Sequence, residues 1–116
     1  MAVNSAGADA IKKIRELALL PNRVLVLSQA KSDMQSWLLK KDDVCDAIVE
    51  WIDAGERVKP TILHSVHGHQ GETAYEMKPR IKTPRRGSVL FYIKVTIIES
   101  PDSQEEMLLI SVHPDH

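Results

Sequence analysis

The sequence predicts an α+β fold in which about three N-terminal helices pack on one face of a C-terminal antiparallel sheet. Before Gly55 the apolar residues recur at helical spacing, whereas after it they alternate with polar residues, as they do in strands. Chains that place helices first and strands afterwards typically form two separate layers. The length of 116 residues, with 43% hydrophobic and 27% charged residues, is typical of one globular domain.

Three helices are expected in the first half. The first covers residues 9–19, ends before Pro21 and follows a small, polar segment, residues 1–8, that we expect to be flexible. Ser28 is expected to cap the second helix, Asp42 to cap the third, and Gly55 to end the third in the left-handed conformation. Their apolar stripes are Ile11, Ile14, Leu17 and Ala18; Ala30, Met34, Trp37 and Leu38; and Val44, Ala47, Ile48, Trp51 and Ile52.

Four strands are expected in the second half, where apolar and polar residues alternate between turns that contain glycine or proline. They cover residues 59–66, 73–82, 88–98 and 106–113. The polar segment 99–105 is the expected loop of a hairpin that joins the last two.

Strand alternation assigns the side chains of this hairpin to two faces. The odd positions from Val89 to Ile97 are all apolar, and we expect them to face the helices. In the last strand we expect the apolar set of Leu108, Ile110 and Val112 on that same face. The opposite, open face then carries Tyr92, Lys94, Thr96, Ser111 and His113.

Positive charge is concentrated in residues 77–98, which contain six basic residues and no acidic one. Because the chain has 15 basic and 16 acidic residues, the remainder carries nine bases against all 16 acids. Such a concentration favours a polyanionic partner. It is equally typical of a strand edge that lysine and arginine protect from self-pairing. The six residues are Lys78, Arg80, Lys82, Arg85, Arg86 and Lys94.

The open face has the residue types that RNA cleavage requires. Cations bind phosphates, an aromatic ring stacks on a base, and histidine transfers protons near neutral pH. Arg80 and Lys82 share a parity and would add charge if their segment joins the sheet. The simpler interpretation remains open, because an ordinary solvated sheet face also carries Tyr, Lys, Thr, Ser and His.

The order of these elements, with MKPRI, FYIKVTII and MLLISVH in the sheet, resembles the RelE-like toxins of bacterial toxin–antitoxin systems, and most of all the MqsR type. The resemblance extends from about Ile11 to His113. It implies a RelE-like fold and an mRNA endonuclease, acting on the ribosome or without it, that uses no metal or other cofactor and is inhibited by a cognate antitoxin. By position, Tyr92, Lys59 and His113 take the family's catalytic positions. The concentration of charge makes the six basic residues of the window the expected RNA-binding residues.

Other signals define the alternatives. His64, His67 and His69 form an H-x-x-H-x-H motif, but no further ligand is spaced to complete a zinc site, and we expect a polar loop. The single cysteine and the absence of a secretory signal or a long apolar run predict a cytoplasmic protein that does not enter the membrane. The second functional hypothesis is a non-enzymatic module whose basic sheet binds nucleic acid or an acidic protein. A third is a relative of the same fold without activity.

Overall fold

The computed structural model describes residues 6–64 and 71–115, which form an α+β fold of three α-helices and a mixed sheet of six strands. The helices are α1 (Ala8–Ala18), α2 (Ser28–Ser36) and α3 (Lys41–Asp53). The strands are β1 (Val24–Val26), β2 (Lys59–Ile62), β3 (Thr73–Met77), β4 (Arg80–Thr83), β5 (Gly87–Glu99) and β6 (Glu105–Pro114). The α+β class predicted from the change of period is therefore confirmed.

The three helices lie where the periodicity places them, but their ends differ from the expectation. Ser28 is the first helical residue of α2 and not its cap. The cap of α3 is Lys40, whose N–H donates to the Asp43 carboxylate at 2.8 Å, so Asp42 has no capping role. Gly55 has a φ of +75°, as expected of a residue that ends a helix in the left-handed conformation.

Leu38 was expected on the buried stripe of α2, and that prediction is wrong. The helix ends at Ser36, and Leu38 has a φ of +57° and remains 50% exposed. Its left-handed backbone turns the chain toward α3, and this turns the side chain away from the core.

The sheet is mixed, so the expectation of an antiparallel sheet confined to the C-terminal half needs correction. Its strand order is β1-β6-β5-β3-β2, and β4 pairs separately with β5. All neighbouring pairs are antiparallel except β1 and β6, which run parallel with Val24 opposite Met107. The short apolar segment between α1 and α2 thus supplies an edge strand that comes from the helical half.

The predicted strand 73–82 is interrupted. β3 and β4 both pair with β5, and the interruption lies at Lys78-Pro79, where the carbonyl of Pro79 accepts the N–H of Phe91 at 2.9 Å. The predicted strand 59–66 ends at Ile62. Residues 65 and 66, together with His67 and His69 of the histidine motif, lie outside the described residues.

The main core contains residues of all three helices and of one side of the sheet. Phe91, Ile93 and Val95 of β5 are fully buried in it, which confirms the odd parity predicted for this strand. Cys45 is also part of this core, and burial raises the pKa of its thiol to about 11.

The apolar set predicted for β6 is wrong, because a bulge shifts the parity. Lys94 pairs with Ser111, whereas Val95 pairs with Leu109, so Ile110 has no partner of its own. As a result Met107, Leu109 and Val112 face the main core. Leu108 and Ile110 lie instead in a second, smaller cluster with Leu63 and Ala74, on the other side of the sheet.

Among the described residues, no helix has the length and the apolar composition that crossing a membrane requires.

Candidate active site

A row of polar side chains crosses the sheet on the side opposite the main core. The strand register places Lys59 beside Glu76, Glu76 beside Lys94, and Lys94 beside Ser111. Directly opposed residues on neighbouring strands have Cβ atoms only about 4.5–5.5 Å apart. We call these four residues the polar row. Glu76 thus lies between two lysines, on strands that fix the spacing of their backbones.

Tyr92 lies next to this row, half-buried, and its hydroxyl donates a hydrogen bond to the Glu76 carboxylate at 2.6 Å. Burial is the largest cause that raises the pKa of Tyr92 far above its ordinary value, and the hydrogen bond to Glu76 raises it further. The phenol is therefore protonated at neutral pH. It acts as a hydrogen-bond donor or an acid, and not as a base.

His113 is the cross-strand partner of Tyr92, and the two rings stack with their centroids 5.1 Å apart. The Nδ1 of His113 lies 3.0 Å from the carbonyl oxygen of Pro114. Because a carbonyl oxygen only accepts, this hydrogen bond favours the proton on Nδ1, and in the neutral ring Nε2 is then the acceptor. His113 is exposed, so Nε2 is accessible to a substrate.

Two further residues extend the charged surface around Tyr92. The Lys78 ammonium group lies 3.6 Å from the Asp115 carboxylate, and the backbone N–H of Asp115 donates to the Leu90 carbonyl. The negative charge of Asp115 also contributes to the raised pKa of Tyr92. Lys94 lies 5.9 Å from the centre of the Tyr92 ring, within the range of a cation–π contact.

Thr96 does not belong to the open face, contrary to the prediction. It is 1% exposed, and its hydroxyl donates to the Thr73 carbonyl at 2.7 Å. The second apolar cluster covers the sheet at this end, and two of its members, Ala74 and Leu108, pair with Thr96. One side of the sheet therefore has an apolar end and a polar end, and only the polar end is available to a ligand.

The remaining predicted RNA-binding residues lie on β4 and in the turn that follows it. Arg80 and Lys82 are exposed on β4 and line a groove whose other wall is α3, with Asp43, Asp46 and Glu50. The carboxylates of this wall oppose the charge of the two cations. Arg80 and Lys82 therefore share a groove with acids. By register, Arg80 pairs with Leu90, two residues before Tyr92, whereas Lys82 pairs with Ser88 and lies further away.

Arg85 and Arg86 lie in the turn between β4 and β5. Thr83 pins this turn, since its hydroxyl accepts the N–H of Arg86 at 3.1 Å and donates to the Gly87 carbonyl at 2.9 Å. The guanidinium of Arg86 lies over the ring of Trp37, 5.6 Å from its centre. Because Gly87 is five residues from Tyr92 along β5, the backbone of the turn lies about 17 Å from the backbone of Tyr92 at strand spacing.

The sequence interpretation missed Glu76 and Asp115. The signal for Glu76 was present, because the apolar parity of Met77, Pro79 and Ile81 extends backwards to Tyr75 and leaves Glu76 on the opposite face. No signal indicated Asp115, which reaches the site because the chain continues along β5 beyond the expected end of the last strand.

A metal site is not part of this arrangement as far as the structure describes the chain. Residues 6–64 and 71–115 contain no cluster of three or more His, Cys, Asp or Glu side chains that would hold an ion. Within the histidine motif, His64 is exposed, and the other two members lie outside the described ranges.

Comparison with known proteins adds no relative. No protein-family model matches the chain, and no curated protein or solved structure matches it significantly. The geometry of the polar row, Tyr92 and His113 is therefore what indicates a function.

Proposed function

We propose that the protein is an mRNA endonuclease of the RelE-like, MqsR-type toxins, which cleaves RNA by side-chain acid–base chemistry without a metal and is inhibited by a cognate antitoxin. The observation that carries the proposal is the pairing of Tyr92 with His113. One residue holds a proton that it can donate, and the other presents a free ring nitrogen that can accept one. Lys94 follows Tyr92 on β5, and Lys59 lies on β2, beyond Glu76 of β3.

In the proposed reaction the ribose 2′-oxygen attacks the adjacent phosphorus. His113 Nε2 takes the 2′-hydroxyl proton as the oxygen–phosphorus bond forms, and Tyr92 gives its proton to the 5′-oxygen as that bond breaks. The products are a 2′,3′-cyclic phosphate and a 5′-hydroxyl end. Solvent then returns a proton to Tyr92 and removes one from His113, so that the site is restored.

Lys59 and Lys94 supply the positive charge that the pentavalent phosphorane needs. Glu76 has a positioning role, since it holds the Tyr92 hydroxyl in place until the leaving oxygen competes for the proton. A phenol with a raised pKa is a weaker acid than usual. The proton is therefore transferred only as the bond to the leaving oxygen breaks and negative charge develops there.

Incubation of the purified protein with a long single-stranded mRNA, with and without EDTA, tests the proposal. We expect cleavage in both conditions and cyclic phosphate ends on the products. Replacing Tyr92 with Phe or His113 with Ala should lower kcat by about 10²- to 10⁴-fold, the usual contribution of a general acid or base. Tyr75→Phe is the matched control, because Tyr75 faces the main core. Absence of cleavage above background, or a Tyr92→Phe variant with unchanged kcat, would contradict the proposal.

The toxin assignment has its own test. Induced expression should arrest growth of a bacterial host, and Tyr92→Phe should abolish the arrest. A small protein encoded next to this one should bind it and restore growth. If arrest persists in the Tyr92→Phe variant, toxicity does not depend on the proposed chemistry.

One observation favours a second function, a non-enzymatic module that binds nucleic acid or an acidic protein. The only proton of the Tyr92 hydroxyl is already donated to Glu76, so the site as it stands offers cations but no free acid. A module of this kind would bind RNA with an affinity that depends on Lys59 and Lys94, and it would leave the RNA intact.

A further inference from the structure

A groove of about 300 Å³ opens beside the polar row, at the edge of the sheet that β2 forms. Its lining residues are Trp51, Arg57, Lys59, Glu76, Met77 and Lys78. Lys59 and Glu76 belong to the polar row, so the groove is continuous with the candidate active site. A ligand seated on Tyr92 that extends toward β2 would enter this groove.

Trp51 forms an aromatic wall of the groove, and its orientation is fixed. The indole N–H donates to the Arg57 carbonyl at 3.0 Å, and the half-buried ring packs against the main core. Among the described residues, no aromatic ring stacks on Trp51. Trp37 differs, because Phe91 meets its ring edge to face and Arg86 covers it.

The charge of this groove distinguishes it from its neighbours. Three cations line it against one carboxylate, and that carboxylate accepts the hydrogen bond of Tyr92. One of the cations, Lys78, is also ion-paired with Asp115, which does not line the groove. The next groove along α3 carries Lys78 and Arg80 against Glu50 and Glu56. The groove beyond it has three carboxylates against two cations. Trp51 also lines the second of these grooves, whereas Lys59 lines only the first. Of the three grooves, the one that contains Lys59 is therefore the one that favours an anion.

We propose that this groove is a nucleotide subsite, in which a base stacks on Trp51 while Lys59 and Lys78 hold the adjacent phosphate. The ligand is single-stranded RNA, so the inference rests on the proposed function and extends it to the nucleotide next to the cleaved bond. Aromatic stacking tolerates every base, because each base has a π-face. The subsite therefore contributes affinity and register rather than sequence preference.

Tryptophan fluorescence tests the binding directly. The chain contains two tryptophans, so Trp37→Phe leaves Trp51 as the only reporter. The probe is a 2′-O-methyl oligonucleotide, which cannot be cleaved because its 2′-oxygen carries no proton. We expect saturable quenching in the Trp37→Phe protein and a weaker response in a Trp51→Phe protein, which reports only Trp37. Quenching confined to Trp37, or none, would overturn the subsite.

Kinetics separate the subsite from the proposed chemistry. Trp51→Leu should raise KM for RNA by about 5- to 150-fold, the usual range for one stacked base, and leave kcat unchanged. Trp51→Phe keeps an aromatic ring, so its KM should rise less than that of Trp51→Leu. It also replaces the leucine variant in the test if that variant does not fold. RNA cleavage with an unchanged KM in both variants would overturn the subsite alone. Binding and quenching without any cleavage would contradict the proposed function and leave the subsite standing.

Discussion

At the scale of single residues, Tyr92 and Glu76 determine what the site can do. A buried hydroxyl that donates to a carboxylate binds its proton more tightly than a free phenol, which is why the pKa of Tyr92 is raised. The same contact holds the hydroxyl at a defined position beside His113. The tyrosine is therefore an oriented proton donor, and its partner Glu76 controls how tightly that proton is held.

Replacing Glu76 with Gln should lower the pKa of Tyr92 toward its ordinary value without restoring it fully. The substitution removes the negative charge but leaves the burial, which is the larger cause of the shift. Ultraviolet titration of tyrosinate measures the change. The chain has two tyrosines, so the titration is done in a Tyr75→Phe background, where Tyr92 is the only one. An unchanged pKa would show that the carboxylate has no influence on the phenol.

The raised pKa of Tyr92 also predicts how stability depends on pH. A group whose pKa is higher in the folded state stabilises the fold below its unfolded pKa, about 10 for tyrosine. This contribution disappears as the pH rises through the folded value. The wild-type protein should therefore lose more unfolding free energy above about pH 10 than a Tyr92→Phe variant. Urea denaturation of both proteins at pH values around and above 10 measures the two losses, and the contributions of the other titrating groups cancel in the comparison. Equal losses in the two proteins would contradict the prediction.

At the scale of secondary-structure elements, the bulge at Ile110 decides which residues of β6 reach the core. Strict alternation predicted Leu108, Ile110 and Val112 on one face, whereas the extra residue places Leu109 with Val112 on the core side. Ser111 and His113 still face Tyr92 and Lys94, since they follow the bulge. The open-face residues nearest the end of the strand were therefore predicted correctly, although the apolar parity before the bulge was not.

Leu109→Ala measures the effect of this bulge. Leu109 has no exposed surface, so truncating it should lower the free energy of unfolding by about 2–5 kcal/mol. Ser111→Ala, two residues further along the same strand, is the control and should change it by about 0.5 kcal/mol or less. Chemical denaturation of both variants gives the values. A loss for Leu109→Ala as small as that of the control would mean that the side chain faces solvent and that the bulge is absent.

The elements that the sequence predicted are those with a clear local period. All three helices and the inward face of β5 follow from the spacing of apolar residues. The sequence did not predict the parallel pairing of β1 with β6, because three residues carry no recognisable period and their partner lies more than 80 residues away. A bulge leaves no local signal either, since Leu108, Leu109 and Ile110 are all apolar and fit either parity.

At the scale of the whole molecule, the fold divides the basic window between different surfaces. Lys78 and Lys94 lie around Tyr92, Arg80 and Lys82 line a groove with the acids of α3, and the turn carries the two remaining arginines. Sequence proximity could not show this, because the strand pairing brings Lys59 into the site while it keeps Arg85 and Arg86 away. The positive charge around Tyr92 thus comes from β2, from β5 and from the link between β3 and β4 rather than from one segment.

This division predicts that the two sets of cations act on RNA of different lengths. Lys59 and Lys78 line the groove beside Tyr92, so replacing both with Gln should weaken binding of a 2′-O-methyl dinucleotide and of a long RNA alike. Arg85 and Arg86, about 17 Å from Tyr92, should affect only the long RNA. For a single-stranded ligand, a plot of the logarithm of the binding constant against the logarithm of the salt concentration becomes shallower by about 0.7 for every phosphate that the protein no longer neutralises. Salt titrations of both double variants therefore measure how many phosphates each pair of cations neutralises. If the arginine variant weakens dinucleotide binding as strongly as the lysine variant does, the turn reaches the site and the division is wrong.

The fluorescence of Trp37 gives a second and independent measure of RNA binding at the turn. Arg86 lies over the ring of Trp37, so a long RNA that competes for this guanidinium should change the fluorescence of Trp37.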